Sequence, residues 1–218
     1  MSGVLFVTGI GTDVGKTVAS AILVKALQAD YWKPVQSGAS EGTDGQRIQQ
    51  WLGSAVIIHP ETYCLQRAVS PHLAAREEGV HIELHTIHQH FQQIHRSDRW
   101  LVIEGAGGLL VPLNETQTFL DLIALLQVPV VLVSRQYLGS LNHTLLTARV
   151  LQQSGIAVAG WISNGSYESN EADLKKWLPW PELASLPLAD AIDGRWIEQQ
   201  ASRLELQLLS TFQPAVSA

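Results

Sequence analysis

Residues 9–17 read Gly9-Ile10-Gly11-Thr12-Asp13-Val14-Gly15-Lys16-Thr17, directly after the apolar run Val4–Thr8 and directly before the helix-like stretch Val18–Leu27. A strand, a glycine-rich turn and a helix opening on Gly-Lys-Thr form a phosphate cradle. The backbone N–H groups of such a turn point inward, and the helix N-terminus adds partial positive charge. Lys16 reaches phosphate oxygens, and the Thr17 hydroxyl is placed to sit on Mg²⁺. In the common form of the loop the first glycine precedes the second by five residues. Ile10 occupies that position here and Gly9 stands one residue earlier, so the loop is one residue longer, with Gly11 as an extra flexible point. This stretch points to a nucleoside triphosphate.

Outward from the loop, short apolar runs alternate with helical patterns. The runs Val4–Thr8, Tyr31–Lys33, Leu101–Glu104, Val130–Ser134 and Ala157–Ser163 are rich in Val, Ile and Leu without strict alternation. Strands buried on both faces of a parallel sheet look like this. Helices are expected near 16–28, 44–53, 70–78, 83–96, 118–127, 139–154, 170–177 and 194–208. Ser70-Pro71 reads as an N-cap with proline at the first helical position, and Gly155 suits a C-cap. The alternation predicts an α/β fold: a doubly wound, mostly parallel sheet with helices on both faces, P-loop NTPase-like, with right-handed crossovers. One domain is expected over 1–211, with long loops at Ser37–Gly45 and Ser163–Asn170 and a frayed tail over 212–218.

Composition narrows the function. A chain of 218 residues buries a sizeable core. Its net charge of −6 argues against nucleic acid, whose phosphates demand clustered Lys and Arg. Cys64 stands alone, which suits a reducing compartment. The N-terminus carries no basic leader, and the longest apolar stretch, Phe119–Val133, is broken by Asp121, Gln127 and Pro129, so no membrane span is expected. The expectation is a cytoplasmic protein.

In a sheet of this kind ligands bind beyond the carboxyl ends of the strands. The polar features just past each predicted strand therefore belong to one rim. They are the phosphate loop, then Lys33-Pro-Val-Gln-Ser37 with Asp44, then Glu104-Gly-Ala-Gly-Gly108, Leu138-Gly-Ser-Leu-Asn142 and Asn164-Gly165. Glu104 closes an apolar run where phosphate-loop proteins place the acidic residue that organises Mg²⁺. With Thr17 and Asp44 it makes an all-oxygen set, which suits a cation that takes few protein ligands plus phosphates and water. Lys33, ending a buried strand and held by Pro34, is a second cation opposite Lys16 for charge on transferring phosphate oxygens. The histidines of 81–95 lack a cysteine partner or a metalloprotease glutamate and read as surface residues of a Gln-rich helix. The tryptophans read as packing residues, and Pro179-Trp-Pro181 as a helix stop.

The set Gly11-Thr-Asp-Val-Gly-Lys-Thr17, Lys33-Pro-Val-Gln-Ser37-Gly, Ser70-Pro-His72, Glu104-Gly-Ala-Gly-Gly108 and Leu138-Gly-Ser-Leu-Asn-His143 closely resembles the dethiobiotin synthetase family, in order from about residue 3 to 190. The resemblance implies Mg²⁺- and ATP-dependent carboxylation and ring closure of 7,8-diaminononanoate with CO₂. An amine captures CO₂ as a carbamate, ATP phosphorylates it to a carbamic-phosphoric anhydride, and the other amine closes the ureido ring. It further implies that Asp13, Val14, Gly15, Lys16, Thr17 and Val18 hold the phosphates, with Gly105, Ala106 and Gly107 beside them. Thr17, Asp44 and Glu104 would organise Mg²⁺, and Lys16 and Lys33 would be catalytic. Thr12 and Ser37 would contact the diamine, and Leu138, Gly139 and Asn142 would hold its carboxylate from a partner subunit, which implies a homodimer. Asn164, Gly165, Pro187, Leu188 and Ala189 match the adenine-side segments. The stretch 166–180 departs from the family pattern, and the ribose contact near Asp190 or Asp193 is ambiguous.

Three rivals share parts of this pattern. A partner-regulated ATPase of the partitioning or cell-division-placement type would carry a lysine early in its loop, and Gly9–Asp13 has none. A corrin-ring amide ligase would need a glutaminase half for which the chain is too short. A silent nucleotide-binding module would not need Lys16, Lys33, Asp44 and Glu104 together.

Overall fold

The computed structural model describes residues 3–167 and 170–211, and side chains up to residue 204. The elements in chain order are β1 (Val4–Gly9), α1 (Lys16–Leu27), β2 (Asp30–Trp32), β3 (Val35–Gln36), a 3₁₀ turn (Ala39–Glu41), α2 (Asp44–Leu52), β4 (Ile58–His59), β5 (Tyr63–Cys64), α3 (Pro71–Glu77), α4 (Leu84–Ile94), β6 (Leu101–Glu104), α5 (Phe119–Leu126), β7 (Val130–Arg135), α6 (Ser140–Gln153), β8 (Val158–Asn164), α7 (Asn170–Trp177), β9 (Glu182–Leu186) and α8 (Gly194–Thr211). Seven strands form one parallel sheet in the order β4-β2-β6-β1-β7-β8-β9, and β3 pairs with β5 in a short parallel ribbon beside it.

The strand register explains the two cores. Leu5 and Val7 of β1 face one way with Tyr31, Val102, Val131, Val133 and Ile162, packing under α1, α2 and α8. Phe6 faces the other way with Trp32, Leu101, Ile103, Val130 and Leu132, under α3, α4, α5 and α6. Apolar residues at successive strand positions thus serve opposite faces, which is why these runs show no alternation. The order of the sheet reverses at β1. The chain leaves β1 for β2 on one side and later reaches β7 on the other, so a crevice opens at the carboxyl end of β1, where the glycine-rich loop lies.

The fold class and the five central strands agree with the sequence reading. Four strands were not foreseen. Strands β3, β4 and β5 are two residues each and carry no periodic signal. The edge strand β9 contains Glu182 and Ser185 and follows Pro181, so its composition resembles a loop. The Ser37–Gly45 segment is less open than expected. It folds into the 3₁₀ turn, and Thr43 caps α2 through a capping box with Gln46, so Asp44 is already helical. Ser70 stands at the N-cap of α3, but its side chain makes no capping bond; Pro71 alone marks the start. Gly155, with φ +67°, follows the C-cap of α6 as expected. Trp32 and Trp161 are fully buried, but Trp177 is mostly exposed and fills no core. Of the histidines, His90 is not a simple surface residue. It bonds Thr62 and stands edge-on to Trp32. The expected tail over 212–218 lies outside the described residues. Among the described residues no helix is long and apolar enough to cross a membrane.

Candidate active site

Glycine geometry shapes the phosphate loop. Gly15 precedes α1 with φ +94°, a left-handed conformation that an L side chain rarely adopts. A Cβ there would lie 2.3 Å from Asn164 Nδ2. The Asn164 amide closes over the loop and donates to the Val14 carbonyl at 2.9 Å. Arg135 at the end of β7 donates to the Asp13 carbonyl at 3.1 Å, with Asp13 itself at φ +57°. The ends of β7 and β8 therefore grip the loop from one side. On the other side a Cβ placed on Gly108, which follows β6, would lie 3.5 Å from the Gly11 and Gly9 backbone, and one on Gly107 would lie 3.6 Å from the Thr12 hydroxyl. Gly107 and Gly108 thus border the loop, whereas Gly105 donates its N–H to the Val7 carbonyl and faces Phe6 and Phe119, and Ala106 packs on the core; Val18 is half-buried in the first turn of α1.

Lys16 is buried and folds back on this loop, its Nζ donating to the Gly11 carbonyl at 2.8 Å. Burial lowers its pKa to about 8, against the opposing attraction of Glu104. In the next residue, Thr17 Oγ1 lies 3.1 Å from Asp44 Oδ1 and 2.9 Å from Glu104 Oε1. A hydroxyl has one proton to give, so only one of these carboxylates is served at a time. Lys33 Nζ makes a short ion pair with Asp44 Oδ2 and lies 3.4 Å from Glu104 Oε1. Lys33 is 5% and Glu104 1% exposed. Burial works to lower the Lys33 pKa, but the charges of Glu104 and Asp44 outweigh it and hold the ammonium above the ordinary lysine range. Burial likewise opposes ionisation of Asp44, and the Lys33 charge and hydrogen bond reverse this, leaving the carboxyl below its usual value.

Local structure explains how residues so far apart in sequence meet. Parallel pairing of β1 with β6 sets Val7 opposite Glu104, so the acid ends its strand beside the start of the loop. Gln36 accepts from the Asp44 backbone N–H at 3.1 Å, which ties the first turn of α2 to β3 and carries Asp44 toward Lys33. Ser37 Oγ is buried without a hydrogen-bond partner among the described residues, a donor and acceptor left for a ligand.

The remaining predicted residues lie further along the rim. Leu138, Gly139 and Asn142 surround the N-terminus of α6, all exposed, with Gly139 at φ +97°. Asn164 and Gly165 end β8. Pro187, Leu188 and Ala189 follow β9 and are exposed, and Leu188 leans toward Gly165, within 3.2 Å of where a Cβ would stand. Sequence reasoning missed Gln36, Arg135 and Tyr31. Gln36 lies inside a quoted motif but shows its role only through Asp44. Arg135 follows an apolar run like any exposed residue. Tyr31 reads as core, yet its hydroxyl donates to Glu104 Oε2 at 2.9 Å.

Two carboxylates, a hydroxyl and two lysines within one crevice suit the binding and transfer of a phosphoryl group, and no protein nucleophile stands among them. Among the described residues no group of three His, Cys, Asp or Glu forms a metal cage. The Thr17–Asp44–Glu104 set nonetheless fits Mg²⁺. It offers hard oxygen donors with more lone pairs than protons, and Mg²⁺ completes its shell with phosphates and water.

A family model described as an AAA domain matches residues 3–195. The chain is 55% identical over 161 residues to the ATP-dependent dethiobiotin synthetase BioD of Cytophaga hutchinsonii, covering 73% of this chain and 76% of that one. It is 40% identical over 205 residues to the enzyme of the same name from Brucella ovis, covering 93% and 94%. Among solved structures, a ParA family ATPase from Chlorobium tepidum superposes with a TM-score of 0.62 at 12% identity, over 95% of this chain and 98% of that one. The septum site-determining protein MinD from Pyrococcus horikoshii, complexed with Mg-ADP, gives 0.60 at 15% identity, over 99% and 100%. These two likenesses concern the fold alone.

Proposed function

The chain belongs to the dethiobiotin synthetase family, and on that premise we propose how its residues divide the work of an ATP-dependent cyclo-ligase. The substrates are ATP, CO₂ and 7,8-diaminononanoate. The observation that carries the reading is the buried convergence of Lys33, Asp44 and Glu104 on Thr17 at the mouth of the phosphate loop.

Asp13–Val18 cradle the phosphates through backbone N–H groups and the α1 N-terminus. Thr17, Asp44 and Glu104 would hold Mg²⁺, whose charge would offset that of the phosphates. Lys16 leaves the Gly11 carbonyl for a phosphate oxygen, an anionic partner that restores its full charge. Lys33 takes the carbamate formed from one amine and CO₂. Its ammonium is kept protonated by its neighbours, so it offers hydrogen bonds and charge without removing a proton. A carbamate oxygen attacks the γ-phosphorus and ADP leaves, giving the carbamic-phosphoric anhydride. The second amine attacks the carbonyl carbon and expels phosphate, which closes the ureido ring. Such a sequence needs in-line placement and cations rather than a nucleophilic side chain.

Ser37 and Thr12 orient the diamine, and the free Ser37 hydroxyl supports that role. Asn164, Gly165, Pro187, Leu188 and Ala189 border the adenine. The α6 N-terminus, with Leu138, Gly139 and Asn142, has no side-chain cap and suits an anion through its partial positive charge. We assign it to the substrate carboxylate of a partner subunit, in a homodimer, a reading supported by Leu138, which is 80% exposed beside it. The test is ADP release from Mg·ATP, CO₂ and the diamine, each omitted in turn, with product mass recorded. Dethiobiotin and ADP appear only with all three. ATP hydrolysis that is indifferent to the diamine would sink the ligase reading.

A further inference from the structure

Tyr31 is fully buried, and nothing in the chemistry above uses it. In the β2–β6 pair Tyr31 stands opposite Val102, and Glu104 is two residues further along the same face. Two residues along a parallel strand span about 6.6 Å and neighbouring strands lie about 4.8 Å apart, which is within reach of a long aromatic side chain. The Tyr31 hydroxyl spans that gap and donates to Glu104 Oε2 at 2.9 Å. The two oxygens of Glu104 therefore have separate surroundings. Oε1 faces Thr17 and Lys33, and Oε2 is taken up by Tyr31.

We propose that Tyr31 is a positioning residue, which holds Glu104 so that Oε1 is presented to the metal–nucleotide and to Lys33. The proposal rests on the assignment of Glu104 to the Mg·ATP site. An ionised carboxylate oxygen buried among apolar side chains needs a donor, and the phenol supplies one at the oxygen away from the cation. A phenol is protonated at neutral pH, so the hydroxyl that meets Glu104 Oε2 serves as the donor. The arrangement also closes off the rotation that would turn Oε2 toward Thr17. Hydrogen-bonded outer partners of this kind typically carry about 10–100-fold in metal affinity.

The experiment is a double-mutant cycle on the full chain with Tyr31→Phe and Glu104→Gln, read by electron paramagnetic resonance of Mn²⁺ bound in the presence of saturating ADP. No diamine is needed. ADP affinity in EDTA is measured alongside. Tyr31→Phe keeps every ring carbon and lowers Mn²⁺ affinity about tenfold, while ADP affinity in EDTA stays within about twofold; in the Glu104→Gln background the same substitution has no further effect. A structural role would weaken ADP binding in EDTA or persist in the Glu104→Gln background, and either result overturns the proposal, as does an unchanged Mn²⁺ affinity. A wild-type chain whose ADP binding is indifferent to Mn²⁺ overturns the metal assignment itself, a different failure. A second measurement needs no substitution. The Tyr31 hydroxyl proton, shielded by burial, gives a downfield proton resonance that moves when Mg·ADP is added and stays put with ADP in EDTA; a resonance insensitive to Mg²⁺ contradicts the coupling.

Discussion

At the carboxyl ends of β1, β2 and β6 the polar side chains hold one another: Lys33 with Asp44 and Glu104, Thr17 with both acids, Tyr31 with Glu104. At the ends of β7, β8 and β9 the rim is open. Leu138 is 80% and Leu188 73% exposed, and Gly139 opens a helix whose first N–H groups have no side-chain cap. One half of the crevice is finished within the chain, and the other presents apolar and backbone groups outward. Chemistry that moves a phosphoryl group needs its charges fixed in advance, because reorganising them during the reaction adds to the barrier. A nucleotide base or a second subunit can cover the open half at the time of binding. Under the proposed function the closed half would carry catalysis and the open one assembly, and substitutions can separate the two.

The largest effect is expected at Lys33. Lys33→Ala removes the cation that faces both acids, and kcat falls by about a thousandfold, while Mg·ADP still binds in a calorimetric titration. Turnover within tenfold of wild type would place the transfer chemistry elsewhere. Next is Leu138→Asp, which puts a charge on the open half. Burying it unpaired in a subunit contact weakens association by about a hundredfold, read by sedimentation velocity, with one Mg·ADP still bound per chain. If that variant sediments as the wild type does, the open half is not a subunit contact.

The seam between the halves is the third target. Gly15→Ala forces a side chain into φ +94° and onto the Asn164 amide, 2.3 Å away. Strain of about 1–3 kcal/mol is expected, seen as a lower melting temperature and about tenfold weaker ADP binding. An unperturbed variant would mean that the loop and β8 are not locked together.

The smallest effect is electrostatic and concerns the metal- and nucleotide-free protein. The folded state holds Lys16 at about 8, against 10.5 for an ordinary lysine. Between those values the unfolded chain binds more protons, so the Lys16 contribution to stability rises with pH through that window. Lys33 and Asp44 act with other signs. The contribution of Lys33, whose pKa is raised, is complete below 10.5 and is lost as pH climbs through its folded value. That of Asp44, whose pKa is lowered, is present above 3.8 and is lost as acid reaches its folded value. Urea unfolding of wild type and Lys16→Met from pH 7 to 10.5 should show the wild type gaining on the variant as pH rises. Parallel profiles would show that Lys16 keeps its charge without a ligand.

Much of this site is legible in the sequence because strands end in chemistry. The loop that carries Lys16 follows one apolar run, and Lys33, Glu104 and Asn164 close others; the rule that ligands gather at carboxyl ends puts them on one rim before any distance is known. Asp44 is harder, since an aspartate among glycines has the same appearance whether it caps a helix or faces a ligand. The Thr43–Gln46 capping box that makes Asp44 helical is a local signal, but the link from Asp44 to Gln36 exists only once α2 is docked. Tyr31 is harder still: a tyrosine in an apolar run counts as core, and the residue its hydroxyl meets is 73 positions away in the chain.

By itself the sequence determined the phosphate loop, the doubly wound class and the kind of chemistry. Glycine placement, strand composition and the Gly-Lys-Thr triplet act locally, and local rules survive any tertiary context. Only the tertiary structure decided which oxygen of Glu104 faces the crevice, that Lys33 is clamped between two acids, and that the Ser37 hydroxyl has no partner among the described residues. Those outcomes follow from parallel register between strands distant in sequence, and from burial, which turns modest surface charges into strongly coupled partners.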